Sequence, residues 1–428
     1  MKIFSASAFF LLALAVASVY LPELYDMAFF EPVEKTHLLY SPVSRRFVYT
    51  EKIVGPIPPQ STAKAQDHHD NIAYRDEDGG WYTRVEFEKM LPTIYYKNME
   101  IWGLLPLRLE GRVLDRESIE RHRLVLELGA GEVSKRHPEI PLWPLLESNP
   151  KQARLVFPPN RFRMRDDAME FVDADVNRVD EGMTSLFTGV LKARGFVFPA
   201  RSVHGRFTVL KPFDEGVFIV DARYGVFHVK RVDGQPVVVK LPLPPSIHTR
   251  QIVVAENNQR KFYGLLLDEA GGMFLLSCDN YRALPLHLEG YDPDRMDFKL
   301  LMNPLFYTAV YSDDAIIHAR VMDHDLTLIA EHSRTMSRAL PTTATHVRAA
   351  LFPFTLSLKA DPGGYLRPHV ILSGWTALPG MAASLILFVL FFRLRGKKRL
   401  HALEYCAVAL TGVYGLLILA AMGRDSFS

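Results

Sequence analysis

The sequence predicts a mainly β protein with some α structure. It reads as an exported domain of propeller-like β units, about 45 residues each, plus three transmembrane helices. Three observations predict this. The apolar excess of the 428-residue chain sits at its two ends. Five positive charges fall within residues 393–399, between two C-terminal apolar runs. From Phe196 onward, short alternating apolar segments recur with tight turns between them.

Composition narrows the function classes. Lys plus Arg total 50 and Asp plus Glu 48, for a formal net charge of +2, which argues against a nucleic-acid partner. At 48% hydrophobic and 23% charged residues the chain is close to a globular average. That excludes a disordered, collagen-like or coiled-coil chain and a polytopic carrier. Two cysteines, Cys278 and Cys406, exclude a disulfide scaffold and a Cys-built zinc or iron–sulfur site.

Residues 1–22 form the first element, a transmembrane anchor or a signal peptide. Ile3 to Leu21 carries no charge, and nineteen residues at 1.5 Å rise give roughly 28 Å, about one bilayer core. Ala15-Val16-Ala17 also offers small residues suited to cleavage. Residues 370–422 form a helical hairpin: Val370 to Phe392 and Leu403 to Met422, the latter with Glu404 as its only charge. The basic loop 393–401 holds Arg393, Arg395, Lys397, Lys398 and Arg399, and the positive-inside rule places it in the cytoplasm. Lys2 agrees. The bulk of the chain and the tail 423–428 then lie on the periplasmic or extracytoplasmic side of a bacterial inner membrane. The implied partners are the lipid bilayer and integral membrane proteins.

Between the spans, residues 23–195 read as an α+β region. Its first stretch, to about Pro59, shows no clear period. Ile72 to Tyr82 is a hairpin turning at Asp76 to Gly80. Thr83 with Glu86 three residues on is a capping-box signature. Leu107 to Val113 and Leu124 to Leu128 read as strands, Ser118 to His122 as a short helix, Glu170 to Ala174 as a strand, and Asp180 to Ala193 as a helix stopped at Gly195.

Residues 196–369 are the β-repeat region. One unit runs from Gly216-Val217-Phe218-Ile219-Val220-Asp221 through turns at Tyr224-Gly225 and Asp233-Gly234. The rhythm returns at Tyr263 to Asp268 with Gly271-Gly272, and at Tyr307 to Tyr311 with Ser312-Asp313-Asp314. Three blades do not close a ring of ordinary size, so strands around 104–130 and 343–358 are expected to complete it.

The strings Leu91-Pro92-Thr93-Ile94-Tyr95-Tyr96-Lys97, Leu145-Leu146-Glu147-Ser148-Asn149-Pro150, Lys211-Pro212-Phe213-Asp214-Glu215-Gly216 and Gly225-Val226-Phe227-His228-Val229-Lys230 carry a resemblance. The chain resembles an uncharacterised bacterial membrane-protein family, a domain of unknown function, over roughly residues 40 to 335. The resemblance implies companions of ABC-type export systems and no known activity. The chain itself has no Gly-x-x-x-x-Gly-Lys-Ser/Thr loop and is not the ATPase.

Candidate chemistry is sparse. His68, His69 and Asp70 form the weak metal candidate. Asp173, Asp175, Asn177, Asp180 and Glu181 are spaced like part of a calcium loop, but Arg178 stands where glycine should turn the chain. His318, His324 and His332 share one unit. Cys278 reads as a buried thiol, and Arg161, Arg163 and Arg165 as a solvated face or docking patch. The sequence identifies no catalytic residue, which leaves any catalytic site unknown, and no cofactor is expected. The function expected is a non-enzymatic accessory or binding subunit of a membrane complex. The alternative is an exported enzyme with its site in the β-repeat domain, which would require Asp221, Asp268, His228 and His318 to share one pocket.

Overall fold

The computed structural model describes residues 2–30, 35–53, 72–133, 140–360, 366–394 and 401–422. The chain divides into two compact units: Met1–Glu34 with Ala339–Ser428, and Lys35–Arg338. Helix α1 (Lys2–Phe29) opens the first unit.

The second unit begins with an antiparallel meander of β1 (His37–Ser41), β2 (Arg46–Lys52), β3 (Ile72–Asp76) and β4 (Trp81–Tyr82). Helices α2 (Arg84–Met90) and α3 (Tyr96–Ile101) follow. Thr83 and Glu86 close the expected capping box on α2. The hairpin β5 (Leu107–Leu109)–β6 (Arg112–Leu114) turns at Glu110 and Gly111, both at positive φ. Then come α4 (Arg116–His122), β7 (Leu124–Leu128) and α5 (Ala130–Val133). A three-stranded sheet of β8 (Asn160–Met164), β9 (Met169–Asp173) and β10 (Arg178–Val179) precedes α6 (Glu181–Ala193), which Asp180 caps.

Three further meanders follow in sequence order. The first is β11 (Ser202–Gly205), β12 (Val217–Val220), β13 (Val226–Val232) and β14 (Gln235–Lys240). The second is β15 (Thr249–Val254), β16 (Phe262–Asp268), β17 (Met273–Ser277) and β18 (Ala283–Leu286). The third is β19 (Asp297–Met302), β20 (Tyr307–Ser312), β21 (Ile316–Met322) and β22 (Leu328–Thr335), to which β7 adds beside β19.

Alternation along the strands gives the inner sheets two apolar faces, and each sheet packs on the next. Phe162, Phe171 and Phe187 meet Ile219 and Phe227. Phe218 and Val220 meet Ile252 and Leu266. Leu265 and Leu275 meet Phe298 and Leu300. Ile317, Ala319 and Val321 meet Leu38, Phe47 and Tyr49 of the first sheet. Five sheets therefore stack in succession. None closes on itself, and among the described residues no buried apolar cluster joins the first sheet to the β8–β10 sheet.

The expected completion of a ring is corrected in its parts. Residues 343–351 are helical rather than extended. Residues 104–130 supply an isolated hairpin and β7, which extends the third repeat instead of forming a blade. The extra sheets come from 37–82, where the expected 72–82 hairpin forms β3 and β4 but the region before Pro59 shows no period, and from 160–179, where the strand at 170–174 is legible and a basic run conceals β8.

One local device recurs in the hairpins. Asp76 and Asp268 end their strands and Asp221 directly follows its own, and each accepts from the backbone N–H four residues on, at Gly80, Gly225 and Gly272 (2.7, 2.7 and 2.6 Å). A Cβ on these glycines would sit 2.8, 3.1 and 3.1 Å from the carboxylate, so the Asp demands the Gly. The third repeat uses Asp313 differently, accepting from Ala315 and Ile316 at 2.7 Å.

In the first unit α1 is joined by α7 (Thr343–Leu351), the hairpin β23 (Phe354–Ala360)–β24 (Leu366–Leu372), and α8 (Leu378–Leu394), α9 (Ala402–Thr411) and α10 (Val413–Met422). Among the described residues two helices are long and apolar enough to cross a membrane, Ala6–Phe29 and Gly374–Leu394, where three were expected. The 403–422 run breaks at Gly412, held at φ +57°, into two ten-residue helices. Each is about 15 Å long, half a bilayer core. The 370–392 run starts late because 370–372 belong to β24. Phe10, Phe388, Val408, Tyr414 and Leu419 fill the core between these helices. Phe9, Leu12, Ile386, Leu390 and Leu410 face outward, so the helices are apolar on both sides.

Candidate functional site

The second unit contains a cavity of about 670 Å³. Its origin is a mismatch of coverage. Leu38, Phe47 and Tyr49 cover the β21 part of one sheet face and leave the β20–β19–β7 part open. Cross-strand rows pave that open face: Val125, Leu301 and Thr308 in one, Glu127, Lys299 and Val310 in the next. Strand β1 and the turn at Thr93 to Tyr95 line the opposite side.

Charge at this cavity is balanced and largely paired. Lys35 Nζ lies 2.5 Å from Asp297, and Lys299 Nζ lies 2.7 Å from Glu127. Asp297 also accepts from the Ala130 N–H at 3.2 Å. Arg123 stacks its guanidinium over Tyr96 at 5.8 Å. Deeper, the polar groups are hydroxyls: Thr36, Thr93, Thr308 and Ser312 are all buried. The Thr36 hydroxyl, on a residue 1% exposed, has no hydrogen-bond partner among the described residues. Burial raises the Tyr40 and Tyr95 pKa values, so both phenols stay protonated.

None of these residues was singled out by the sequence except within the string around Thr93. The available signal was weak: Thr36 and Leu38 precede an unrecognised strand, and Val125 and Glu127 only look like a half-buried one.

The residues singled out earlier lie elsewhere. His68, His69 and Asp70 fall outside the described residues, as do Arg395, Lys397, Lys398 and Arg399; Arg393 lies in the last turn of α8 and is exposed. Asp173 accepts from the N–H groups of Asp175 and Val176, and Asp180 from that of Met183, so both are turn and cap residues. Arg163 pairs with Glu170, and Arg161 bonds the Pro158 carbonyl. Glu404 accepts from the His401 N–H at 2.9 Å as a helix capping residue. Cys278 is half-buried, and desolvation pushes its thiol up to about 11, away from nucleophilic use at neutral pH. Among the described residues no group of three or more His, Cys, Asp or Glu could hold a metal ion.

Asp221, Asp268, His228 and His318 are dispersed. The two aspartates spend their carboxylates on their own turns. His318 stacks on Tyr311 and bonds Ser333 at 2.7 Å. His228 is sealed between the β11–β14 and β15–β18 sheets, stacked on Phe218 at 4.3 Å. Its Nε2 bonds the Glu215 carbonyl and its Nδ1 the Tyr281 hydroxyl at 3.0 Å. Beside it lies a buried triad: Lys211 Nζ sits 2.7 Å from Asp214 and 2.6 Å from Glu256, with all three side chains nearly inaccessible. None of these groups lines the cavity.

Residues 37–322 match the family described as Domain of unknown function (DUF4857). No curated protein matches the chain.

Proposed function

The chain belongs to the DUF4857 family, and from that premise we propose a membrane-anchored accessory or binding subunit of a membrane complex, with its β body on the extracytoplasmic side. The observation that carries this reading is the first unit. Its helices are apolar toward one another and apolar outward, a pattern that water disfavours and lipid accepts. The basic loop orients the hairpin with that loop inside. In this reading α9 and α10 together make the third crossing, bent at Gly412. The five stacked sheets act as blades of a propeller-like body whose cavity takes a ligand. The dispersal of Asp221, Asp268, His228 and His318 favours binding over catalysis. An ABC-type exporter is the complex that the resemblance implies.

Two measurements test this. A phosphatase reporter fused within residues 200–300 should be active outside the cytoplasm, and one fused after Arg399 inactive. Affinity purification in mild detergent should recover transporter subunits above background. Reversed reporter activity defeats the topology; an empty purification defeats the assignment to an exporter.

A further inference from the structure

We propose that the 670 Å³ cavity binds an uncharged amphiphile, an alkyl or acyl chain carrying a hydroxyl, ester or amide group. The inference rests on the binding-subunit reading and adds the ligand class.

Three features argue for it together. First, the size is that of a small-molecule pocket, and apolar side chains stand on its walls: Leu38, Val125, Leu301, Phe306, Val310 and Ile317. Second, the ionic groups select against a charged head. Lys35, Arg123 and Lys299 oppose Glu127, Glu132 and Asp297, three of each sign. Two cations are already spent on two anions at 2.5 and 2.7 Å. These pairs are half-exposed and worth only about 0–1 kcal/mol each, and Arg123 and Glu132 are exposed too. The cavity therefore offers no buried counter-charge to hold an ionic head, and an ion drawn inside would lose its water without compensation. Third, the buried polar groups are hydroxyls, which donate and accept. Thr36 Oγ1 is buried, lines the cavity and has no partner among the described residues. A buried hydroxyl left unpaired is unfavourable, and a neutral ligand oxygen or N–H satisfies it. Tyr40 and Tyr95 add no charge.

The test uses the full chain in lipid nanodiscs, which leaves the β body open to solvent on either face of the membrane. Three diazirine-bearing probes of equal chain length are compared: a monoacylglycerol, a fatty acid and an alkyl amine. Cross-linked peptides are mapped by mass spectrometry. The expected result is labelling at β1 and β19, several-fold stronger with the monoacylglycerol and suppressed by excess unlabelled monoacylglycerol. T36V should lower it about threefold or more, the loss of one hydrogen bond. L301W, which fills the cavity, should abolish it. Circular dichroism and protease resistance confirm that both variants fold. Equal labelling by all three probes, labelling confined to α1 and α8–α10, or labelling unchanged in T36V overturns the proposal. The outcome does not depend on which side of the membrane holds the β body, so it fails separately from the topology.

Discussion

Acidification should weaken the second unit through His228. Its ring is 1% exposed, and burial pulls its pKa down to about 3, against 6.5 when solvated. Between those two values the unfolded chain carries the proton and the folded chain does not. Stability therefore rises with pH across that window and is lost as pH falls below 6.5. Working the linkage from these two pKa values gives a loss of about 2 kcal/mol between pH 7.5 and pH 5. The limit well below pH 3 is about 5 kcal/mol, the full difference between the two pKa values at about 1.4 kcal/mol per pH unit. The assay is urea denaturation of the full chain in mild detergent, followed by tryptophan fluorescence, for wild type and His228→Gln. Gln keeps a polar side chain but cannot titrate. The variant should start less stable at pH 7.5, and the gap between the two proteins should narrow by about 2 kcal/mol at pH 5. Parallel curves for the two proteins would refute the reasoning, because other titrating groups are common to both.

Three further outcomes are expected. Lys211→Met strands Asp214 and Glu256 without their cation and should cost about 3–5 kcal/mol in urea, with Glu256→Gln in the same chain recovering part of it; a cost under about 1 kcal/mol would contradict the burial argument. Asp221→Ala and Asp268→Ala should each cost about 1–3 kcal/mol and speed amide exchange at Gly225 and Gly272 respectively, while the other hairpin stays protected. Gly264→Ala should be far worse than Gly103→Ala: a Cβ at Gly264 would lie 1.8 Å from the Val253 carbonyl oxygen, whereas at Gly103 it meets open space and only the φ of +68° is strained. The second change should cost about 1–2 kcal/mol, and similar midpoints for the two variants would defeat the contact argument.

The sequence exposed what is local. Thr83 with Glu86, Asp180 before Glu181–Ala193, and the hairpins at Asp221 and Asp268 were legible because capping and turn chemistry act within four residues. Sheet membership was not, because pairing is a tertiary choice. Leu124–Leu128 reads as a strand with no hint that its partner is β19. Residues 343–351 are expected to be extended only because a ring would need another blade, whereas Thr342 and Thr345 cap a helix there. The break at Gly412 hid inside a uniformly apolar run, since hydropathy is blind to a backbone reversal. The cavity was illegible for a related reason. It is made by what β1 fails to cover, and its walls come from residues scattered between 35 and 317.

The recruitment of β7 sets a timetable for synthesis. Leu128 pairs with Phe298, so 170 residues must be made before the earlier strand meets its neighbour. At about 5–20 residues per second that is a wait of roughly 10–30 s with a bare edge. Two of its five side chains are outward-facing, and one is the charged Glu127, a residue type that discourages pairing with strangers. Ribosomal pausing in the β8–β18 region would lengthen the interval, and truncated chains ending before residue 297 should be the ones most prone to aggregate.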